Sequence, residues 1–556
     1  MEGKPVSDPI YKVNVQKDAV IPMPDGVCLR ADIYYPESSG KFPGLLSFTN
    51  YGKELQTLTK PREINDWETV ARGWAAVEAG NSEYFVSRGY VHVICDPRGS
   101  STSEGAYSFR KEPEDAYHVI EWMAAQPWCN RHVGMLGMSM FAINALRIAA
   151  LNPPHLKAIC PVEALTDFYR HLAYHGGIFC YGFYQYQQPL VHTSEKREKE
   201  FTDEEYSRMV EALKANEDIR AYPRLFKILI LPQLNPTLFG ALMHPYDGPY
   251  WTEDSPSSGL EKIKIPTYLM CRWTAWPIHL PGAFIAYEKI KAPKKLRLYT
   301  TPSHVAGPQR PWNENHEHVL RWYDYWLKGI DTGMTKEPPI QIFVQGINQW
   351  RDEYEWPLAR TRWTPYYLRS GGLLCETPPI QSEPPDRFLN NPWLKVGEEV
   401  PCIKYTSPPL ARDMEITGPI ALYFHASSAS DANWMVDIKD IDPNGEERLV
   451  SKGWLKASHR ELDGTRSKPY QPYHPHARSL PVEPGKIYEY AMEVRETSNV
   501  FRAGHGIQLV IKGQDSRSEE GDHYNHLNNM TETWHSIYHS DEYPSYLLLP
   551  MIPIIG

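Results

Sequence analysis

The chain has 556 residues, 42% of them apolar and 23% charged, with a formal net charge of -10. That length predicts several domains, the composition excludes a disordered or collagen-like chain, and an acidic balance without any Lys/Arg run argues against a nucleic-acid groove. The eight cysteines have no Cys-x-x-Cys spacing, and several lie in apolar runs such as Val93-Ile94-Cys95, so they read as free buried thiols.

In chain order, Tyr11 to Tyr35 reads as paired strands around a Pro24-Asp25-Gly26 turn, and Gly44 to Phe48 as a third strand. Strands and helices then alternate: a strand over Tyr90 to Cys95, a helix over Glu112 to Ala125, a strand over Val133 to Leu136, a helix over Phe141 to Leu151 and a strand over Leu156 to Val162. Such alternation predicts parallel strands with helical crossovers. Residues 1–163 are therefore read as the first part of an α/β domain, and 164–262, where aromatic and charged helix-like segments replace the pattern, as an inserted helical cap. The pattern resumes over 263–337 with strands at Pro266 to Cys271 and Leu296 to Tyr299 and a helix around His316 to Leu327. From 338 to 556 short alternating runs such as Ile420 to Phe424, Met435 to Ile438 and Ile507 to Ile511 predict a β-sandwich. Met1-Glu2-Gly3-Lys4-Pro5 lacks the apolar core of a signal peptide, and no stretch approaches about 18 uninterrupted apolar residues, so a cytoplasmic protein that does not enter membranes is expected.

Gly137-Met138-Ser139 lies between the predicted strand ending at Leu136 and the predicted helix that starts at Phe141. A strand, a Ser behind a Gly, then a helix is the pattern of a nucleophile elbow, whose tight turn pushes a hydroxyl out at the carboxyl edge of a sheet. The spacing is irregular, with Phe141 where a second Gly is usual and Ala142 one position later. In an α/β-hydrolase the nucleophile is followed in chain order by an acid and a His, and His304, in Thr301-Pro302-Ser303-His304 past the last strand, fits that order.

The chain resembles the cocaine-esterase-like and X-Pro dipeptidyl-peptidase-like serine hydrolases over nearly its whole length. The resemblance is carried by Asp96-Pro97-Arg98-Gly99 with Ser103-Glu104-Gly105, by Glu121-Trp122 through Gln126-Pro127-Trp128, and by Gly134 to Ser139. In the last domain it rests on Ile416-Thr417-Gly418-Pro419, Gly453 to Arg460 and Phe501 to His505. It implies an α/β-hydrolase domain with a helical cap and a carboxyl-terminal jelly roll. It also implies Ser139 as nucleophile, His304 as general base, and an oxyanion hole from the Met140 N–H and the Tyr51 hydroxyl.

The family's acid is expected in a Gly-Trp-x-Asp stretch, but here the chain reads Arg272-Trp273-Thr274-Ala275. Ala275 cannot orient a histidine, so Glu163, directly after the strand ending at Val162, is taken as the acid. Asp167 is a weaker candidate, and a structural carboxylate paired with Arg170 is the competing reading of Glu163. Asp96 and Arg98 are expected to pair with each other, and His316 and His318 to lie on a solvated helix face. Trp273, Trp276, His279 and His175 are candidates for the substrate pocket. No metal and no organic cofactor is implied. The reaction expected is hydrolysis of a small-molecule carboxylic ester, less favourably an amide, through an acyl-enzyme; acyl transfer and a catalytically silent binding protein remain as alternatives, and a homo-oligomer is left open.

Overall fold

The computed structural model describes residues 6–57, 78–186, 202–216, 219, 236–300, 310–395, 397–515 and 525–553. The first sheet collects β1 (Val13–Pro22), β2 (Cys28–Pro36), β3 (Phe42–Phe48), β4 (Val91–Asp96), β5 (Cys129–Met135) and β6 (Leu156–Ile159). After the cap hairpin of β7 (Tyr174–His175) and β8 (Ile178–Phe179), it continues with β9 (Thr267–Arg272), β10 (Lys294–Tyr299), β11 (Ile340–Val344) and β12 (Gln349–Glu353). Its ten strands run in the order β1-β2-β4-β3-β5-β6-β9-β10-β11-β12. From β4 to β11 neighbouring strands are parallel, and β1, β2 and β12 are antiparallel at the edges.

The helices that matter are α1 (Glu112–Ala125), α2 (Met140–Ala149), the cap helix α3 (Asp203–Ala215), α4 (Leu280–Lys289) and α5 (Arg310–Lys328). Glu112, Glu114 and Asp115 open α1 with Pro113 in the first turn, where acidic groups meet the positive end of the helix dipole. Thr202 and Glu205 form a reciprocal capping box at the start of α3. Alternation along the central strands feeds two layers. Val133, Met135, Leu156 and Ile159 join α1 and α2 in one apolar cluster, while Leu136, Ala158 and Cys160 join Val319, Leu320 and Trp322 of α5 in another. Strands covered on both faces in this way read as near-continuous apolar runs, which is how they appear in the sequence.

The carboxyl-terminal domain is one sheet of eleven strands. They are β13 (Arg362–Arg369), β14 (Leu373–Cys375), β15 (Asp386–Asn390), β16 (Cys402–Thr406), β17 (Met414–Ser428), β18 (Asn433–Ile441), β19 (Glu447–Lys456), β20 (Tyr488–Phe501), β21 (Gly506–Lys512), β22 (Thr533–Tyr538) and β23 (Tyr546–Ile552). Their order is β15-β22-β17-β20-β19-β18-β21-β16-β14-β13-β23, and because β23 also pairs with β17 the sheet closes on itself around its own apolar core. The first sheet extends further than the expected 337/338 boundary: β11 and β12 belong to it, ending at Glu353. A short parallel strand followed by an antiparallel hairpin partner has the same alternation as a sandwich strand, so the sequence pattern could not assign them.

The domains are joined by close backbone contacts. The Gln345 and Val500 segments exchange backbone hydrogen bonds, and Arg351 holds Glu415 through two bonds of 2.8 and 2.7 Å. No helix among the described residues is long and apolar enough to cross a membrane. All eight cysteines are free thiols, five of them buried.

Candidate active site

Four parallel strands, β5, β6, β9 and β10, stand side by side, and the carboxyl end of each carries a polar side chain. These are Ser139 beyond β5, Glu163 beyond β6, Arg272 at the end of β9 and Tyr299 at the end of β10. In open α/β sheets this edge is where ligands bind.

Ser139 has φ 55° and ψ -115°, a conformation that L side chains rarely adopt, and it sits immediately before α2. The turn is pinned by the Ser139 N–H donating to the Val162 carbonyl at 3.0 Å and the Met138 N–H donating to the Glu78 carbonyl at 2.9 Å. Gly137, at φ 151°, leaves room for Phe141, whose Cβ would lie 2.1 Å from a Cβ placed on residue 137. Gly137→Ala should therefore cost about 3 kcal/mol through overpacking and strain, seen as a lower unfolding midpoint in denaturant.

Phe141, the residue that made the motif irregular, stands edge-on to Tyr51, with ring centroids 6.1 Å apart at 87°. Its bulk braces Tyr51, whose hydroxyl has the Ser139 side chain as its hydrogen-bonding neighbour. Burial pushes the Tyr51 hydroxyl well above the ordinary tyrosine value, so it keeps its proton and can donate. The Met140 N–H opens α2, where no preceding turn supplies an acceptor. Ser139 and Met140 are half-buried.

Glu163 is 1% exposed and also has a positive φ, of 54°. Its Oε1 accepts from Arg272 Nε at 2.6 Å and from the Tyr299 hydroxyl at 2.7 Å, and its Oε2 accepts from Arg272 Nη2 at 2.8 Å. A carboxylate offers about four lone-pair positions, so these three donors leave capacity on Oε2 for one more. Burial raises the Glu163 carboxyl, but the Arg272 charge and its hydrogen bonds, helped by Tyr299, hold it below the ordinary range, and it stays ionised.

Glu78 is the opposite case. It is 3% exposed, its Oε2 accepts no hydrogen bond, and burial together with the Glu163 charge pushes its carboxyl well above the ordinary value, against the pull of Arg272. Two carboxylates share one guanidinium here, and one of them is left neutral. Folding thus holds a proton on Glu78 in a window that opens at the ordinary value of 4.5 and extends upward. An acid with a raised folded pKa binds more protons folded than unfolded, so stability falls as pH rises through that window. Glu78→Gln should remove the fall. Denaturant midpoints from about pH 5 to pH 8 should show the wild type losing up to about 1.4 kcal/mol per pH unit relative to the variant.

The remaining sequence-predicted residues divide. His304 lies outside the described residues. Ala275 is buried at the usual acid position and offers no carboxylate. Trp273 is a core residue, 1% exposed with its indole N–H donated to the Phe343 carbonyl at 2.8 Å. His279 does lie near Glu163 and Arg272: burial lowers it to about 4 although the Glu163 charge opposes this, so it is neutral, and its Nδ1 is buried without a hydrogen bond. Trp276 is half-buried with its Nε1 likewise unpartnered. His175 does not join this group and instead faces His526 of the carboxyl-terminal domain.

Three pairings differ from expectation. Asp96 is held by the Lys53 N–H at 2.8 Å and Nζ at 3.3 Å, while Arg98 pairs with Asp115 and Asp25. Lys53 claims the buried Asp96, and Asp115, also buried, holds Arg98 through two bonds of 2.7 and 2.6 Å. Arg170 pairs with Asp167 and Asp247, which removes it as a partner for Glu163. His316 is not on a solvated face: it stacks on Tyr84 with centroids 4.7 Å apart, and burial lowers His316 and His318 to about 4 and about 3. Glu78, Arg272 and Tyr299 were missed, although Arg272 and Tyr299 end two strands that the sequence did predict.

Among protein families, the description "X-Pro dipeptidyl-peptidase (S15 family)" matches residues 25–305, and "X-Pro dipeptidyl-peptidase C-terminal non-catalytic domain" matches residues 332–548. Cocaine esterase of Rhodococcus sp. (strain MB1 Bresler) is 26% identical, covering 97% of this chain and 99% of its own. A putative Xaa-Pro dipeptidyl-peptidase of Bacillus anthracis is 21% identical over 86% of this chain and 78% of its own. Among solved structures, a CocE/NonD family hydrolase from Staphylococcus aureus superposes with a TM-score of 0.78 at 24% identity, covering 97% of this chain and 93% of that one. An α-amino acid ester hydrolase superposes with a TM-score of 0.74 at 19% identity, covering 97% of each chain.

Proposed function

The chain belongs to the X-Pro dipeptidyl-peptidase (S15) family, and we propose that it works there as an esterase in which Ser139 is acylated by a small-molecule carboxylic ester. It is a serine hydrolase with an α/β-hydrolase domain followed by a β-rich domain. The observation that carries the residue assignment is the Ser139 turn, with its positive φ and the Tyr51 hydroxyl beside it, next to a buried ionised carboxylate on the neighbouring strand.

In this reading Ser139 Oγ attacks the acyl carbonyl while His304 accepts its proton, since a serine hydroxyl is a weak nucleophile without a base. The negative charge that develops on the carbonyl oxygen receives hydrogen bonds from the Met140 N–H and the Tyr51 hydroxyl. Collapse breaks the ester C–O bond, the alcohol leaves with the proton from His304, and a water activated by the same imidazole then releases the acid and restores Ser139. Glu163 is the proposed partner of His304. Its carboxylate is bonded to Tyr299, on the strand that leads into the segment holding His304, and Oε2 retains one acceptor position. The chemistry extends to amides, whose leaving nitrogen would take the same proton. A cytoplasmic location is supported by the eight free thiols.

Tyr51→Phe tests the oxyanion assignment. Loss of one donor typically costs 10²–10³ in kcat, so steady-state kinetics on a nitrophenyl ester should show about that fall with KM changing little. An unchanged kcat would remove Tyr51 from the site. A second reading, a binding protein on the hydrolase scaffold, draws on Ala275 and on Arg272 engaging both oxygens of Glu163. It differs from the first in requiring that no ester be turned over.

A further inference from the structure

At the seam between the cap and the carboxyl-terminal domain, His175 and Cys180 of the β7-β8 hairpin region meet His526, which follows the described residue Asn525. All three are buried, and His175 Nδ1 or Nε2, Cys180 Sγ and His526 Nδ1 or Nε2 supply ligand atoms within 4.8 Å of one another. The hairpin is pressed against β19: a Cβ on Gly176 would lie 2.0 Å from the Trp454 carbonyl oxygen, and the Lys456 N–H donates to the Gly176 carbonyl at 2.8 Å.

The hydrogen bonds fix both rings. His526 Nδ1 lies 2.9 Å from Asp515 Oδ2, and His175 Nε2 lies 3.0 Å from the His171 carbonyl oxygen. The carbonyl can only accept. Asp515 Oδ2 accepts the His526 backbone N–H at 2.7 Å, so it too is an acceptor. Each ring must therefore carry a proton on its outward nitrogen. With both rings neutral, His175 Nδ1 and His526 Nε2 are left as two lone pairs facing each other across 2.7 Å. Two facing lone pairs repel unless a cation lies between them. A proton there would make one ring an imidazolium within a fully buried pair. A metal ion meets the same need with a thiolate added.

We propose that His175 Nδ1, His526 Nε2 and Cys180 Sγ bind a zinc-class divalent cation that staples the cap hairpin to the carboxyl-terminal domain. Two imidazoles and a thiolate suit a borderline-soft tetrahedral ion. The bonds to Asp515 and to the His171 carbonyl are the outer contacts that orient metal-binding histidines and set their tautomers. Zn–N bonds of about 2.0–2.1 Å at the tetrahedral angle put ligand nitrogens about 3.3 Å apart, so binding parts the two ring nitrogens, now 2.7 Å apart, by about 0.6 Å. Binding also converts the Cys180 thiol to a thiolate, releasing its proton to solvent.

The test uses the full chain, stripped with a chelator and titrated with Co²⁺ alone and then Zn²⁺ alone. Expected are uptake of about one equivalent, the visible bands of tetrahedral cobalt, and a near-ultraviolet thiolate-to-cobalt band that Zn²⁺ abolishes. Cys180→Ser, a single-atom change, should lose the thiolate band, and Asp515→Asn should weaken Zn²⁺ binding about 10- to 100-fold. Where a variant fails to fold, the wild-type spectrum and the zinc content of the protein as purified decide the matter. A wild type that takes up no Co²⁺ into a tetrahedral thiolate site, or a thiolate band that persists in folded Cys180→Ser, overturns the proposal.

Discussion

Ser139→Ala is expected to lower kcat on a nitrophenyl ester by about 10⁶-fold while leaving the unfolding midpoint nearly unchanged, because the hydroxyl takes part in the chemistry and little of the packing. The loss follows from the division of labour at the sheet edge. In the proposed mechanism, Gly137 and the strained turn present Ser139, and Tyr51 and the Met140 N–H meet charge that exists only after Oγ has attacked. Without the nucleophile those donors have nothing to stabilise beyond a weak water attack. A variant that retained a tenth of the activity would mean that the reaction runs elsewhere.

The second large effect is expected at Glu163. Glu163→Gln keeps the shape but replaces an ionised acceptor with an amide, and the analogous change in a Ser-His-Asp triad costs about 10⁴-fold by allowing the wrong imidazole tautomer. The pH profile separates this role from a structural one. In the proposed triad the Glu163 carboxylate favours the His304 imidazolium, so removing its charge should shift the acidic limb of kcat/KM to lower pH. Arg272 complicates the variant in a useful way, since Gln cannot balance its charge. If Glu163→Gln folds and keeps activity within about threefold, with an unmoved acidic limb, Glu163 serves only the Arg272 pair and the histidine has another partner.

The elbow was legible in the sequence because its requirements are local: a Gly that yields space, a Ser at the strand end, and an apolar helix behind. Phe141 looked like a defect by spacing alone, and its purpose emerges only with Tyr51 in contact, since that contact joins residues on different strand-to-helix connections. The same edge logic set Glu163 and Ser139 at one end of the sheet, where both lie. The partners of Glu163 were missed, because Arg272 and Tyr299 are separated from it by 109 and 136 positions, and no periodicity links the ends of strands β6, β9 and β10. Asp96 and Arg98 show the opposite error. Nearness in sequence suggested a pair, whereas Lys53 takes Asp96, and the buried Asp115 with Asp25 takes Arg98. His175 was read toward the substrate cleft because a cap was expected there, but the His175-Gly176-Gly177 turn is shaped by close approach to the other domain.

A stoichiometric fluorophosphonate, followed by intact-mass measurement and peptide mapping of the adduct, is the most direct test that one activated serine does the work. One phosphonyl group on the peptide containing Ser139, appearing in step with loss of esterase activity, is the predicted result. Full ester turnover with that peptide unmodified would contradict it.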